Sequence, residues 1–445
     1  MSTTTLRTRH ALIAAGVAGT LLALSACSTG GDSGSKDSGK PSGTLQILVS
    51  SADASDAAFK AVNAAFEKKY PDVKIVFSSV PNSNYPSTES SRLTARNVDV
   101  FVVNSSGRPL TDVPSFAKGS ESNDARLAAS GALLDLTDQP FMKNYTPSVL
   151  DAQEFKGKQY AVPTGLSYST GVYYNKTIFK QNGIDVPTTW DELVAACKKL
   201  QSAGVTPFGI GGKDGWPAGL PMLSAVASLY PGLDAKNQLA QDLWDQKTKL
   251  NDTEPLEVLQ RVQTVFGYAQ KNFSGAAYSD IPAGFAAGKY AMTPDGTWDE
   301  PTIAAAVGDK FDFGYFPLPM GDDAQSNASL NGKIELQLAV SAASKNKTAA
   351  LAWLTFFSDP TNYKTFLDKS GFSSAQPNIA SSDFLKSIEQ YAKDYEPAWD
   401  QVWVANNDAG QDAVYPFNYP ALSPLGTKDA ASAADAAQKA WSAAF

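Results

Sequence analysis

The chain has 445 residues, 43% of them hydrophobic, and a formal net charge of −8, so it can bury a large core that divides into two lobes. An acidic chain lacks the basic surface that nucleic acids require, and we therefore expect no nucleic-acid partner. Its one histidine is His10, which excludes Ser-His-Asp and Cys-His catalysis and His-ligated metal sites from the rest of the chain.

The first 26 residues are predicted to form a secretory signal peptide. Arg7 and Arg9 precede an apolar stretch at 11–24, which is too short to span a bilayer and is typical of a signal-peptide core. The stretch ends in Leu-Ser-Ala-Cys at 24–27, which resembles a bacterial lipobox. We expect residues 1–26 to be removed and Cys27 to carry lipid; the alternative is an ordinary signal peptide with an incidental cysteine. Removal would take the formal charge from −8 to −10.

A predicted linker follows the signal. Residues 28–42 are rich in Gly and Ser and contain no large apolar side chain, so they cannot contribute to a core. We therefore predict that 27–42 comprises the lipidated Cys27 and a flexible tether with an r.m.s. reach of roughly 20 Å. It would hold the protein on the extracellular face of the bacterial cytoplasmic membrane. No other apolar run in the sequence is long enough to cross a bilayer.

Strand and helix patterns alternate after the linker. Residues 44–50 alternate apolar side chains as a strand does, and 53–70 have helical spacing up to Pro71. Two further strands are predicted at 73–77 and 98–103. The resulting β-α-β-α-β order predicts an α/β fold with a mostly parallel sheet.

Ligands of such folds bind beyond the carboxyl ends of the strands. In this chain those positions hold Asn82, Tyr85 and Asn104, which we take as candidate ligand contacts. The alternative for each is a loop residue without ligand contact.

The segment at 155–175 has two β-rich runs separated by a break. Residues 160–162 are closed by Pro163, Gly165 marks the break, and 172–174 form the second run. Such a break is typical of a chain that crosses between two α/β lobes.

The rest of the chain continues the alternation. Thr189 and Glu192 have the spacing of a capping box, and the helix they begin contains Cys197 on its apolar face, which favours a buried thiol over a nucleophile. A polar Gly-rich loop is predicted at 211–217. Further helices are predicted around 217–229, 255–270 and 341–359, strands at 290–293, 313–319 and 334–340, and a mainly helical tail after 379.

Five motifs occur in an order that resembles one known family. They are GKQYAVP at 157–163, YYNK at 173–176, FAAGKYAM followed by GTW within 285–298, FGYFPLP at 313–319 and SAASKNKTAALAWL at 341–354. Together they resemble the solute-binding proteins of bacterial ABC importers, family 1, the sugar-binding group that includes maltose-binding-protein-like proteins. The resemblance extends over about 44–379.

The resemblance implies a periplasmic-binding-protein-like fold of type II, in which each of two lobes is a mostly parallel sheet flanked by helices. The chain would cross between the lobes three times, near 163–167, 330–334 and 373–377. Lobe 1 would then contain 43–163 plus 335–373, and lobe 2 would contain 164–334 plus 375–445.

The same resemblance implies a function. The protein would capture a carbohydrate, a mono- or oligosaccharide, between its lobes and deliver it to the transmembrane permease subunits of an ABC importer. We expect a monomer without catalytic residues, metal or cofactor, attached to the membrane only through its lipid anchor.

A carbohydrate site needs aromatic rings against the C–H faces of the sugar and polar groups around its hydroxyls. Trp298 is the first candidate, because the family has a sugar-stacking Trp at this place; the alternative is a core Trp. Glu335 departs from the small residues that the family has on its strand. If it faces the cleft, it indicates a polar or hydroxyl-rich ligand; the simpler interpretation is that it faces water. The other candidates lie in loops and crossings near the expected cleft: Trp216, Tyr168, Asp295, Asp214, Asn331 and Phe372.

Two alternatives stay open. A secreted glycosidase needs a pair of carboxylates about 5–5.5 Å or about 6.5–9.5 Å apart, for which Asp295 with Asp299, or Glu335 with Asp214, could serve. The same fold could also bind a non-sugar solute such as a phosphorylated polyol, for which Lys213 and Lys333 are the nominees.

The predicted lipid anchor can be tested by the substitution Cys27→Ser in cells that carry the full chain. We expect the protein to leave the membrane fraction and to appear in the soluble extracellular fraction, because no thiol remains for lipid attachment. Immunoblotting of separated fractions measures this, with Cys197→Ser as the matched control. A Cys27→Ser protein that stays with the membranes contradicts the anchor.

Overall fold

A computed structural model of the chain describes residues 39–103, 108–392, 395–413 and 417–445. The signal segment, Cys27 and most of the linker lie outside the described residues. The strands of the described ranges are β1 (Gly43–Ser50), β2 (Val73–Val80), β3 (Val100–Val102), β4 (Ala161–Val162), β5 (Gly165–Tyr168), β6 (Gly171–Asn175), β7 (Thr206–Phe208), β8 (Tyr290–Pro294), β9 (Phe313–Pro317), β10 (Asn331–Glu335), β11 (Leu338–Val340) and β12 (Glu396–Pro397).

The helices of the same ranges, apart from short 3₁₀ turns, are α1 (Asp53–Lys69), α2 (Tyr85–Thr94), α3 (Asn123–Ala129), α4 (Pro147–Asp151), α5 (Lys176–Gln181), α6 (Trp190–Ser202), α7 (Leu220–Leu229), α8 (Leu233–Trp244), α9 (Thr253–Gly267), α10 (Ile281–Ala286), α11 (Glu300–Val307), α12 (Lys347–Phe357), α13 (Pro360–Ser370), α14 (Asp383–Ser387), α15 (Trp399–Val402) and α16 (Ala430–Ser442). Within these ranges, no helix is both long enough and apolar enough to cross a bilayer.

The first sheet has the strand order β2-β1-β3-β11-β4. β1 is parallel to β2 and β3, whereas β11 is antiparallel to both β3 and β4. Successive residues of β1 are buried, including Ile47 and Leu48, as expected for a strand covered on both faces. Part of the cover is an aromatic cluster in which the ring of Phe59 on α1 lies 4.8 Å from that of Phe366 on α13.

The second sheet has the order β7-β8-β6-β9. β7 is parallel to β8, and β6 is antiparallel to β8 and to β9. In each of the two sheets, as far as the structure describes them, a single strand is reversed and the others share one direction. The predicted α/β fold with two mostly parallel sheets is therefore confirmed.

A small third sheet, β12-β10-β5, joins the segments predicted as crossings. β5 pairs antiparallel with β10, and the third crossing joins them where Leu166 and Ser373 exchange backbone hydrogen bonds of 2.9 and 2.8 Å. The strands of the first sheet fall within 43–163 and 335–373, and those of the second within 164–334. The residue bounds of the two lobes stay a prediction.

A buried lysine attaches α8 to this third sheet. Lys236 has no exposed surface, and its Nζ lies 2.6 Å from Oδ1 of Asn331 on β10 and 3.7 Å from Oε2 of Glu396 on β12. The amide of Asn331 also donates to Glu396 over 2.7 Å. Burial lowers the pKa of Lys236, and the carboxylate of Glu396 opposes that shift. The ion pair and its amide bridge thus keep a charge inside the protein.

Cys197 lies on the inner face of α6 and is buried, as its spacing predicted. Burial raises the pKa of this thiol to about 12, so it is protonated at neutral pH.

The predicted capping box at the start of α6 is only partly formed. Thr189 accepts a hydrogen bond from the backbone N–H of Glu192, but the Glu192 carboxylate accepts from Thr188.

The substitution Lys236→Met should lower the free energy of unfolding by about 2–4 kcal/mol, because it leaves the half-buried Glu396 and the buried amide oxygen of Asn331 without their cation. Chemical denaturation at pH 7 measures this. The matched control is Lys199→Met on the exposed face of α6, which should cost less than about 0.5 kcal/mol. Equal midpoints for the two variants would show that the buried ion pair does not stabilise the fold.

Candidate functional site

Three aromatic side chains come together where β8 ends. Trp298 lies in a 3₁₀ turn, Thr297–Asp299, and is 8% exposed. Its ring centroid is 6.0 Å from that of Trp216, and the ring of Tyr278 is 4.7 Å from Trp216. A Cβ atom at Gly296 would collide with ring carbons of Trp298, so the glycine allows the backbone to pack closely against the indole.

Tyr278 connects this aromatic cluster to a carboxyl group. Its hydroxyl accepts a 3.0 Å hydrogen bond from Nε1 of Trp298 and donates over 3.1 Å to Oδ1 of Asp295. Its backbone N–H donates over 2.7 Å to the carboxylate of Asp214. Asp214 is itself exposed, and this hydrogen bond fixes the segment that carries Tyr278. The sequence analysis missed Tyr278, because it lies in a loop without periodicity or a family motif.

Asp295 and Asp299 form a buried carboxyl pair beside Trp298. Asp295 is 1% exposed and Asp299 is 6% exposed. Burial, with the neighbouring Asp299 adding to it, raises the pKa of Asp295 well above its usual range, and burial raises the pKa of Asp299 to about 7. The two groups hydrogen-bond to each other, so the pair holds a proton at neutral pH. Oδ2 of Asp299 is buried without a hydrogen-bond partner among the described residues.

A lysine and two further carboxyl groups border the cluster. Nζ of Lys333 lies over the ring of Trp298, 4.8 Å from its centroid, and 3.3 Å from Oε1 of Glu335. Ser167 donates a 2.5 Å hydrogen bond to the same oxygen. Burial raises the pKa of Asp400 on α15, and Lys333 opposes the shift. Glu335 is 4% exposed, so the interpretation that it faces water is wrong: β10 points it inward, towards Lys333.

Tyr168, in the first crossing, is attached to the turn that holds Trp298. Its backbone N–H donates over 3.1 Å to Oγ1 of Thr297, and its hydroxyl donates over 3.3 Å to the carbonyl of Ala392. The hydroxyl of Tyr315 donates to the carbonyls of Tyr168 and Asp295. These hydrogen bonds fix the crossing and the Trp298 turn relative to each other.

The structure brings together Trp298, Trp216, Asp295, Glu335 and Lys333, with Asp214 and Tyr168 hydrogen-bonded to their neighbours. Their role as ligand contacts stays a prediction.

The other predicted site residues are engaged in other contacts, are exposed, or lie outside the described residues. Tyr85 has no exposed surface, and its hydroxyl hydrogen-bonds to the backbone of Val102 and Leu48, so it supports the first sheet. The side-chain amide of Asn331 hydrogen-bonds to Lys236 and Glu396. Phe372 packs on Phe366, and Asn82 is exposed at the surface. Asn104 lies outside the described residues.

The carboxyl pairs nominated for glycosidase chemistry have other arrangements. Asp295 and Asp299 hydrogen-bond to each other within one buried pair. Asp214 is bonded to the backbone of Tyr278, and Glu335 to Ser167 and Lys333. Among the described residues, no group of three His, Cys, Asp or Glu side chains is arranged to hold a metal ion.

Comparison with known proteins gives a consistent result. Residues 50–364 match the family model of the bacterial extracellular solute-binding proteins, which is more than half of the chain. The chain is 27% identical over 319 residues to a multiple sugar-binding protein of Streptococcus mutans, covering 71% of each protein. It is 22% identical over 406 residues to a melibiose/raffinose/stachyose-binding protein of Bacillus subtilis, covering 87% of this chain and 86% of the relative.

Solved structures share the fold. A solute-binding protein in complex with raffinose superposes with a TM-score of 0.73 at 22% identity. The superposition covers 91% of this chain and 100% of the raffinose-bound protein. A sugar transporter protein of Bacillus licheniformis in complex with stachyose gives a TM-score of 0.72 at 18% identity, with coverages of 91% and 100%. The two-lobe architecture of type II is therefore the fold of this chain.

The buried carboxyl pair predicts a pH dependence of stability. Because the pKa of Asp299 is raised in the folded state, the folded protein binds more protons than the unfolded chain between about pH 4 and 7, and stability falls as the pH rises through that window. Asp299→Asn should therefore be more stable than the parent at pH 8 by roughly 1–3 kcal/mol and similar to it at pH 4.

Chemical denaturation across pH 4–8 measures the difference, with Asp185→Asn on the exposed surface as control. Parallel pH profiles for Asp299→Asn and the parent protein would contradict the shared proton.

Proposed function

Because the chain belongs to the family of bacterial extracellular solute-binding proteins, we propose that it is the substrate-binding component of an ABC importer and that it binds a carbohydrate. The observation that carries this proposal is the aromatic cluster of Trp298, Trp216 and Tyr278 with carboxyl groups at its border. The names of the relatives from Streptococcus mutans and Bacillus subtilis, which bind sugars, support the same ligand class.

Each part of the cluster suits one part of a sugar. Indole rings pack against the C–H faces of pyranose rings, and Trp298 and Trp216 lie at 56° to each other, an angle that suits a bent ligand or two sugar rings. Carboxylate oxygens accept hydrogen bonds from hydroxyl groups, and Oδ2 of Asp299 has no partner among the described residues. A ligand hydroxyl would supply the missing donor.

We propose that binding works by closure of the two lobes around the ligand. The crossings are short segments joined to each other by backbone hydrogen bonds. Small backbone rotations within them would turn one lobe relative to the other. The ligand would stabilise the closed form by contacting both lobes, and the permease would receive it from that form. No bond is made or broken in this scheme.

The protein would act as a monomer at the extracellular face of the cytoplasmic membrane, held there by lipid on Cys27. The support for this anchor is the lipobox-like sequence at 24–27 and the Gly/Ser-rich linker after it.

The test is carbohydrate binding by purified residues 43–445. A thermal-shift screen against mono- and oligosaccharides, raffinose and stachyose included, identifies a ligand, and calorimetry measures its affinity. Trp298→Ala should weaken that affinity at least about 30-fold, since a central aromatic contact contributes about 2 kcal/mol or more. Trp190→Ala, which removes a half-buried indole at the start of α6, is the matched control and should bind as the parent does.

Two results would contradict the proposed function. One is the absence of any carbohydrate that stabilises the protein or binds it. The other is turnover of chromogenic glycosides, which would make the protein an enzyme. Unchanged affinity in Trp298→Ala would instead remove the site assignment and leave the function standing.

A further inference from the structure

The ammonium group of Lys333 lies over the ring of Trp298, against which the proposed function places a sugar. Nζ lies 4.8 Å from the centroid of the indole, a favourable cation–π distance. The backbone of Gly296 packs closely against the indole, so the ring has little free surface left for a ligand. A sugar can therefore stack on Trp298 only if Lys333 moves.

A second carboxyl group, on α15, also acts electrostatically on Lys333. Asp400 interacts electrostatically with Lys333, and its Oδ1 is buried without a hydrogen-bond partner in the part of the chain that the structure describes. Glu335, by contrast, already holds the ammonium at 3.3 Å and accepts from Ser167. The carboxyl group of Asp400 already accepts a hydrogen bond from Gln401, and its Oδ1 can accept another.

We propose that Lys333 is a specificity-determining residue: it covers the stacking face of Trp298 in the ligand-free protein, and an arriving carbohydrate displaces it towards Asp400. This inference rests on the proposed function, since it needs a carbohydrate at Trp298. C–H groups of the ligand then contact the Trp298 ring in place of the Lys333 ammonium. The displaced ammonium donates a hydrogen bond to Oδ1 of Asp400.

The exchange also selects the class of ligand. The displaced ammonium stays beside the site, so it repels a ligand that carries a positive charge near the ring. The site therefore favours a neutral polyhydroxyl compound over an amino sugar of the same shape.

The decisive variant is Lys333→Met, which keeps the length of the side chain and removes the competing charge. Its affinity for the carbohydrate found in the screen should rise roughly 3- to 30-fold, the range expected for loss of a partly buried cation–π contact. Lys333→Arg keeps the charge and should bind within about threefold of the parent. Weaker binding by Lys333→Met would make Lys333 a direct ligand contact and would overturn the proposal.

Asp400→Asn tests where the ammonium goes. In the parent background this variant should bind the carbohydrate several-fold more weakly, because the displaced ammonium loses its carboxylate. In the Lys333→Met background the same change should have no effect on affinity. An equal effect in both backgrounds would overturn the proposal, and melting curves establish that each variant is folded.

The movement itself can be observed without a variant that alters affinity. After reductive ¹³C-methylation of the lysines, the NMR signal of Lys333, identified by its loss in Lys333→Arg, should be shifted by the Trp298 ring current and should return towards the normal position when carbohydrate saturates the protein. A signal that does not respond to bound carbohydrate overturns the displacement while the proposed function stands. If no carbohydrate binds the parent protein, the proposed function fails and this inference fails with it.

Discussion

Backbone hydrogen bonds among the three crossings are the constraint on which the rest of the structure depends. β5 pairs with β10, and Leu166 exchanges two hydrogen bonds with Ser373, so the three passages of the chain form one joint. β6 and β11 each begin within a few residues of a crossing strand, and the direction of the crossing fixes the direction in which they enter their sheets. The reversed strand of each described sheet, β11 or β6, is the first strand that the chain forms after a crossing strand. The joint also positions the site, because Tyr168 at its edge holds Thr297 beside Trp298.

The site concentrates carboxyl groups where little water reaches them, which is unfavourable for folding unless charge is removed or paired. The structure uses both solutions. Asp295 and Asp299 share a proton, and Lys333 neutralises Glu335 and lies near Asp400. One oxygen each of Asp299 and Asp400 is buried without a hydrogen-bond partner among the described residues, which is a cost to stability. Such a cost is consistent with a site that is completed by hydroxyl groups of a ligand.

Much of the fold could be predicted from the sequence, because it follows from local patterns. Alternating apolar residues marked β1, and the order of the five motifs within 157–354 indicated the family. What the sequence could not show depends on contacts between distant segments. Tyr278 belongs to a loop without a pattern, and only the fold brings its hydroxyl between Trp298 and Asp295.

The predictions for Tyr85 and for the side chains of β10 also differ from the structure because they depend on contacts between distant segments. Tyr85 follows a strand end as a ligand contact would, yet its hydroxyl hydrogen-bonds to backbone carbonyls of β1 and β3, and that pairing is set by tertiary packing.

β10 carries Asn331, Lys333 and Glu335 at alternate positions, so the pleat of one strand gives them a common face. The first of these binds the buried Lys236, the second covers Trp298, and the third bonds to Ser167 in the neighbouring crossing. A ligand that moved Lys333 would therefore act on the strand through which the two lobes are joined, and binding and closure would share one element.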